Sequence, residues 1–506
     1  MSLLGIDVGT TGCKTVVFST AGEVLASAYE EYDYAHPQPG WAELDSLQVW
    51  EQIQRTIRKA AAGVGKDALQ ALCVSSLGEA VVPVRRDRQV LGPSILNFDS
   101  RGAEYLPGLR QQITDERLYG LNGNTPGNHY SLTKLLWLKE HRPEIYEQAD
   151  WFLHWSGFVS FMLGAEAAVD YSLANRSLLF ELGKADWSDE LPGLFGIERA
   201  KLPPAVPSGS QIGIVASGVA AALGMPAGIP IVSGAHDQCS NSVGCGVTEV
   251  GQAMYGMGTY ICMTPVYEQR PPAAVMISQG LNTEHHAVPG KLVSFIYNQG
   301  GALVKWYRDT FAIQERRQAV LEGVDVYNGL IAEMPESPSR VMALPHFTAT
   351  GPPRFIADSC GVLAGLYLDT PRGEILKGLI EGSTFYLRAC LEALPVEIKI
   401  DNLHAAGGGS KSADWLQVCA DILGRPVVQP VINEAGALGA AILAGTGSGV
   451  FSSIHEGVEA MVKQRGAFEP RPQVQRLYDE RFAKYLKLWP LMEEYLQHLG
   501  RPYKLD

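Results

Sequence analysis

A carboxylate set among glycines and threonines suits a phosphate and its metal ion, and the chain opens on one. Residues 7–12 read Asp-Val-Gly-Thr-Thr-Gly. Gly9 and Gly12 let the backbone take positive φ and let a ligand come close. Thr10 and Thr11 add hydroxyls to a turn whose N–H groups can face an anion. Asp7 ends an apolar stretch, where its carboxylate can serve Mg²⁺ directly or through water. An ordinary glycine-turned hairpin fits the same six residues. A second group is Gly234-Ala-His-Asp-Gln238, after the β-branched run Ile231-Val232. An acid–base group needs a fixed backbone and a cleft, and a strand end offers both. A hydrogen-bonded structural pair of His236 and Asp237 is the other reading.

Further residues of this kind recur along the chain. Gly78-Glu79 follows the apolar run Ala71–Ser76 and reads as a carboxylate at a strand end or as a solvated loop residue. Asn97, Asp99 and Arg101 come together after Ile95, and an Asp99–Arg101 pair holding a loop is the preferred reading. Lys134, at the start of a helix, faces a phosphate or water. Gly256-Met-Gly-Thr-Tyr-Ile-Cys-Met263 echoes the opening turn, which suggests duplicated halves with a break near Cys245. Gln299-Gly-Gly-Ala302 starts a helix that carries Lys305 and whose N-terminus can meet an anion. In Leu403-His-Ala-Ala-Gly-Gly-Gly-Ser-Lys-Ser412 an apolar strand runs into three glycines, and a helix follows. That order can accept a nucleotide. It is neither a Walker sequence nor a clean dinucleotide fingerprint.

The elements that must hold these residues are legible from periodicity. Leu3–Ile6 and Lys14–Phe18 read as strands, and Glu23–Tyr32 as a third, turned at Ala21-Gly22. Asp45 caps a helix with Val49, Trp50, Ile53 and Ile57 on one face. Ser131 caps Leu132–His141. Trp151–Leu163 reads as one apolar helix. Glu374–Leu387 reads as a long amphipathic helix. Ser412 caps Ala413–Leu423, which Gly424 closes. Glu434-Ala-Gly-Ala-Leu-Gly-Ala-Ala441 reads as a small-residue packing helix, and Val474–Leu499 as helices bent at Pro490.

The 506 residues exceed one core, so two domains are expected, 1–244 and 245–506. The net charge of −13 argues against a nucleic-acid partner and an anionic membrane surface. No run of about 18 apolar residues suggests a membrane span. The N-terminus has no basic leader pattern. The eight cysteines form no CxxC pair and read as reduced thiols of a cytoplasmic protein.

Taken in order, these motifs resemble those of the FGGY carbohydrate kinases over nearly the whole chain. Asp7–Thr11 resembles the family's first phosphate loop, His129–His141 its first signature and Gly361–Glu381 its second. Gly234–Gln238 resembles the segment with the catalytic aspartate, and Gly407–Ser412 the adenosine-side loop. The resemblance implies an α/β fold of two ribonuclease-H-like (actin-like ATPase) domains with a cleft between them. It implies ATP and Mg²⁺, with Asp237 as the base, and Gly78, Glu79, His129, Asp237 and Gln238 against the sugar. Asp7 would serve the metal. Thr10, Thr11, Gly258, Thr259, Gly301, Lys305, Gly408, Gly409 and Ser412 would serve the nucleotide. Dimers are common in the family, though no interface marker stands out in this sequence.

Some positions depart from the family pattern. Gly78-Glu79 stands where glycerol kinases have Arg-Glu and xylulose kinases Met-His, so the arginine is missing. His129 and Gly378 are unusual in the two signatures. Leu344–Pro353 lacks the usual Gly-Glu-Arg-Thr-Pro run. The acceptor expected is a ketopentose such as xylulose, with glycerol or another polyol as the alternative. A carboxylate at 79 argues against an acidic acceptor by like-charge repulsion. Readings from other classes are a sugar or nucleotide sensor on the same fold, a partner-driving ATPase, and a dehydrogenase. Asp237, the absence of a third domain and the missing GxGxxG weigh against these in turn.

Overall fold

The computed structural model describes residues 1–64, 69–351, 356 and 359–499. Two mixed sheets carry the fold. In the first, β1 (Ser2–Val8), β2 (Gly12–Ser19), β3 (Val24–Glu31), β4 (Leu69–Ser76), β5 (Gln211–Ile214) and β6 (Pro230–His236) lie in the order β5-β6-β4-β1-β2-β3. In the second, β7 (Gly251–Met257), β8 (Tyr260–Tyr267), β9 (Glu284–His285), β10 (Leu292–Val293), β11 (Ile296–Gln299), β12 (Ile400–Ala406), β13 (Val427–Pro430) and β14 (Gln464–Phe468) follow the order β9-β10-β8-β7-β12-β13-β14, with β11 also on β8.

The two sheets repeat one pattern. Each opens with an antiparallel hairpin, β1–β2 and β7–β8. The hairpin's first strand then pairs in parallel with a later strand, β1 with β4 and β7 with β12. A further parallel strand and an antiparallel edge complete each sheet. The echo between the two glycine-threonine turns therefore reflects duplicated topology. Parallel strands need crossovers, so their carboxyl ends share one edge, where open α/β sheets bind ligands.

The helices follow from local sequence. In α1 (Ser46–Ala62), Val49, Trp50, Ile53 and Ile57 are buried, and the Asp45 carboxylate accepts from the N–H groups of Leu47 and Gln48 at 3.0 Å. Such a cap is worth about 1 kcal/mol. In α2 (Ser131–His141), Ser131 is helical rather than the cap, and its hydroxyl donates to the Glu79 carbonyl at 2.6 Å. The run expected as one helix from Trp151 splits. Trp151–His154 pairs with Val81–Val84 as a strand, and α3 (Trp155–Leu163) follows. Pairing with a neighbouring apolar strand there overrides a pattern that periodicity alone cannot assign. Two helices then flank β6: α4 (Tyr171–Asn175) before it and α5 (Asp237–Gly244) directly after it.

In the second half, α6 (Gly301–Phe311) and α7 (Arg372–Glu392) pack on the second sheet's core. There α8 (Ala413–Leu423) is capped by Ser412 and closed by Gly424 at φ 64°, as expected. The packing helix α9 (Ala435–Gly447) and α10 (Pro472–Leu499), one helix running through Pro490, complete the chain.

The small residues of α9 explain its position. It follows the second sheet yet lies against β1, β4 and β6 of the first and crosses α5. A Cβ on Gly439 would come within 1.9 Å of the Ser240 carbonyl oxygen, and one on Gly244 as close to that of Ala435. Only glycines allow that crossing. The resulting core joins Leu3, Val16 and Val232 of the first sheet to Met254 and Val266 of the second through Ala437–Ala444. Residue 245 thus separates the sheets along the chain but not in packing.

Candidate active site

Register places the first group of residues. Asp7 pairs with Ser75 across the parallel β1–β4 ladder and with Lys14 across the hairpin. Ala235 also pairs with Ser75, so Asp7, Ser75 and the end of β6 share one edge. Gly9 donates its N–H to the Gly12 carbonyl at 2.9 Å, and the Tyr32 hydroxyl donates to the Gly9 carbonyl at 2.6 Å. Neither glycine takes positive φ. At Gly12 the need is room: a Cβ would lie 2.5 Å from the Tyr29 hydroxyl. Thr10 is half-buried and Thr11 exposed in the turn.

Asp7 Oδ1 is buried without a hydrogen-bond partner. Burial lifts this carboxyl to about 6, with Ser75 and Lys14 nearby pulling the other way. Opposite Oδ2, a Cβ on Gly436 would come within 2.7 Å, so the glycine keeps the carboxylate's surroundings open. An orphaned hard oxygen beside a glycine fits a divalent cation held through water. No cluster of three or more His, Cys, Asp or Glu suited to a metal exists among the described residues. The remaining ligands of such a cation would be water and phosphate oxygens.

β6 runs on to His236 rather than ending at Gly234, and Asp237 opens α5. Gln238 Nε2 donates to Asp237 Oδ1 at 3.1 Å. Burial, with the negative charges of Asp7 and Glu79, raises the Asp237 carboxyl to about 7, against the Gln238 hydrogen bond. A carboxylate poised there can take a proton near neutral pH.

Glu79 sits at φ 60°, an uncommon conformation for a side-chain-bearing residue. Arg176, just past α4, holds it. Arg176 Nε donates to Glu79 Oε1 at 2.6 Å, its Nη2 bonds the same oxygen, and Nη1 donates to Glu284 Oε1 at 2.6 Å. Asn97 Nδ2 takes Glu79 Oε2 at 3.1 Å. The arginine missing beside Glu79 in sequence is therefore supplied from 97 residues on. A cavity of about 340 Å³ lies alongside, lined by Arg110, His129, Tyr130, Arg176, Asn282 and Tyr297 among others. His129, expected against the sugar, lines this cavity. Arg176, rather than Glu79, presents charge to it. The like-charge argument against an acidic acceptor therefore loses its basis. Burial, Arg176 and Lys134 push the His129 imidazole down to about 3, so it is neutral.

Two other expectations resolve. Asp99 and Arg101 form the buried pair that holds a loop, extended to Glu43 and packed between Trp41 and Trp137. Lys134 meets neither phosphate nor water. It is buried and donates to the carbonyls of Asp99 and Arg101 at 2.8 and 2.6 Å.

The glycine loops of the second half gather at the edge of the second sheet. The Gly258 N–H donates to the Tyr260 carbonyl at 3.1 Å. Gly301 and Ala302 donate their N–H groups to the carbonyls of Gly258 and Thr259, both at 2.9 Å. The first N–H groups of α6 are thus already engaged, which corrects their reading as free anion donors. Gly407, at φ 80°, lies against Met257 and Gly258, and a Cβ on Gly409 would be 2.8 Å from Met257 Cβ. Gly408 has open space beside it. Ser412 caps α8 through the Trp415 N–H at 3.2 Å. Lys305 stands exposed about one turn into α6. Pro352 and Pro353, at the end of the departing Leu344–Pro353 segment, lie outside the described residues.

Contacts link the two edges. Ser410 donates to Asn433 Oδ1 at 3.1 Å, and the neighbouring Glu434 pairs with Lys14 at 2.6 Å. Gly436 then meets Asp7. Both glycine edges and both carboxylates therefore border one region. Sequence reasoning missed Arg176 and Glu284. The available signal was a charged residue inside the apolar run Leu173-Ala-Asn-Arg-Ser-Leu-Leu179, which implies a buried partner. The identity of that partner has no local trace.

Residues 2–244 match the model of the FGGY family of carbohydrate kinases, N-terminal domain, and residues 258–448 that of the C-terminal domain. The chain is similar to an autoinducer-2 kinase of Klebsiella pneumoniae subsp. pneumoniae, 30% identical over 96% of this chain and 92% of the relative. It is also similar to a xylulose kinase of Bacillus subtilis, 27% identical over 96% of each. The fold matches a xylulose kinase structure from Rhodospirillum rubrum with a TM-score of 0.85 at 24% identity, covering 98% of this chain and 100% of that one.

Proposed function

The chain belongs to the FGGY family of carbohydrate kinases and is a phosphotransferase, and we propose that it moves the γ-phosphoryl group of ATP to a hydroxyl of a small sugar or polyol. The observation that carries this reading is Asp237. Its carboxyl is raised to about 7 at the sheet edge that also holds Asp7, and the cavity lined by Arg176, His129 and Phe295 reaches its neighbour His236 through Phe295. Asp237 accepts the proton of the acceptor hydroxyl as that oxygen attacks the γ-phosphorus, and ADP leaves. Phosphoryl transfer asks mainly for positioning and charge neutralisation. Gly408, with open space beside it, lets the nucleotide approach closely, and Gly258, Thr259, Gly301, Gly409 and Ser412 shape the edge around it, with Lys305 nearby. Thr10 and Thr11 contribute hydroxyls from the first loop. Asp7 would hold Mg²⁺ through water, and the ion would supply charge neutralisation for the phosphates.

The division into 1–244 and 245–506 is proposed for the two functions: acceptor and base in the first part, nucleotide in the second. A reducing cytoplasmic setting is proposed on the eight cysteines, none of which belongs to a CxxC motif.

The acceptor proposed first is a ketopentose such as xylulose, held against His129 and Arg176. Autoinducer-2 is the second reading, favoured by the named activity of the 30% identical relative. A coupled ADP-release assay tests both, run with ketopentoses, polyols, hexoses, aldonates and autoinducer-2 beside Asp237→Ala. Acceptor-dependent turnover that the substitution abolishes supports the reading. Equal ADP release with and without every acceptor overturns it.

A further inference from the structure

His236 immediately precedes the proposed base, and its imidazole is built into that base's surroundings. Nε2 lies 3.3 Å from Asp237 Oδ1. Gln238 Nε2 approaches the same oxygen at 3.1 Å. Two nitrogens therefore converge on Oδ1, and Oδ2 is the oxygen left to meet a hydroxyl.

The imidazole is fixed from several sides. The His236 backbone N–H donates to Ser172 Oγ at 2.9 Å, and the ring sits edge-on to Phe295 with centroids 5.1 Å apart. Next to it lies residue 78, where a Cβ would fall 2.7 Å from His236 Nε2. Glycine at 78 is thus the counterpart of histidine at 236: the ring fills the space that a side chain there would occupy. His236 Nδ1 is buried with no partner. A buried bare acceptor is better tolerated than a buried bare N–H, so the ring proton belongs on Nε2. Burial, with Arg176 and His154 nearby, keeps the ring neutral.

We infer that His236 is the positioning residue for the base. Its Nε2, 3.3 Å from Asp237 Oδ1, and the Gln238 amide bonded to that oxygen hold the carboxyl between them, which leaves Oδ2 for the acceptor hydroxyl. The inference rests on the reading of Asp237 as that base.

Two measurements on the full chain test it. His236→Phe keeps a ring against Phe295 and removes the donor, whereas His236→Gln returns an amide donor. The expected result for His236→Phe is a kcat lower by about 10- to 100-fold, because Oδ1 of the base loses one of its two polar neighbours. KM for ATP should move less than about twofold, and His236→Gln should recover most of the rate. A His236→Phe enzyme with unchanged kcat, or a loss confined to KM for ATP, overturns the clamp. The second measurement is ¹⁵N NMR of the wild-type chain labelled at histidine. A neutral Nε2–H tautomer at neutral pH is expected, and an Nδ1–H tautomer or an imidazolium overturns the clamp whatever the turnover. Wild-type protein with no acceptor-dependent turnover defeats the kinase reading instead, and the tautomer still decides the clamp.

Discussion

The two sheets share one topology and place opposite chemistry at the same point. In the first, β1 runs Asp7-Val8-Gly9-Thr10 into its turn, and in the second, β7 runs Gly256-Met257-Gly258-Thr259 into the matching turn. A carboxylate stands where the other half has glycine. The next parallel strands differ in the same way. After β4 comes Gly78-Glu79, tied to Arg176, whereas after β12 come three glycines, with the first charge at Lys411. The first edge therefore works through ionisable side chains in a buried setting and the second through closely approached backbone. Duplication fixes where strand ends gather. On the proposed reading, the residue types then divide the work between proton handling and nucleotide contact.

That division predicts that damage at one edge spares the other. Asp237→Ala should lower kcat by about 10²- to 10⁴-fold, the span of a lost general base, with ATP affinity by calorimetry unchanged. A loss of ATP affinity instead would break the division. Arg176→Met leaves Glu79 and Glu284 buried without their cation. It should cost about 3–5 kcal/mol in denaturant unfolding, because breaking a buried ion pair strands a charge. A cost below about 1 kcal/mol, the range of an exposed pair, would mean the cluster is solvated.

At the second edge, Gly407→Val forces a β-branched residue to φ 80° against Met257. KM for ATP should rise about 10-fold, in line with 1–3 kcal/mol of backbone strain, and KM for the acceptor should hold. The smallest effect is on pH. The Asp237 carboxyl is raised, so below its pKa it is protonated and cannot accept a proton. The rate with saturating ATP should climb with pH through about 7 and then level off, while ATP affinity stays flat. A rate already level at pH 5 would place the base elsewhere.

Legibility in the sequence followed the range of the interaction. The α8 helix was readable to the residue because its cap and stop are local, Ser412 to Trp415 and Gly424. The paired glycine turns and the Asp99–Arg101 pair were readable for the same reason. Ser131 looked like a cap, but its hydroxyl serves Glu79, 52 residues away. Lys134 read as facing either a phosphate or water, but it is buried and donates to two carbonyls brought in by the fold. Arg176, Glu79 and Glu284 meet only once both sheets are formed. The small residues of α9 announced close packing, but nothing in them named the first sheet as the partner.

The position of α9 has a consequence for the engineering of the chain. A fragment cut after Gly244 would leave bare the apolar face of β1, β4 and β6 that Ala437–Ala444 cover. The complementary fragment would carry a helix with no floor to lie on. The two halves of the repeat are held together by this one helix, which follows the second sheet and packs on the first. Expressed separately, each should aggregate, and co-expression should return soluble protein only when α9 finds the other fragment.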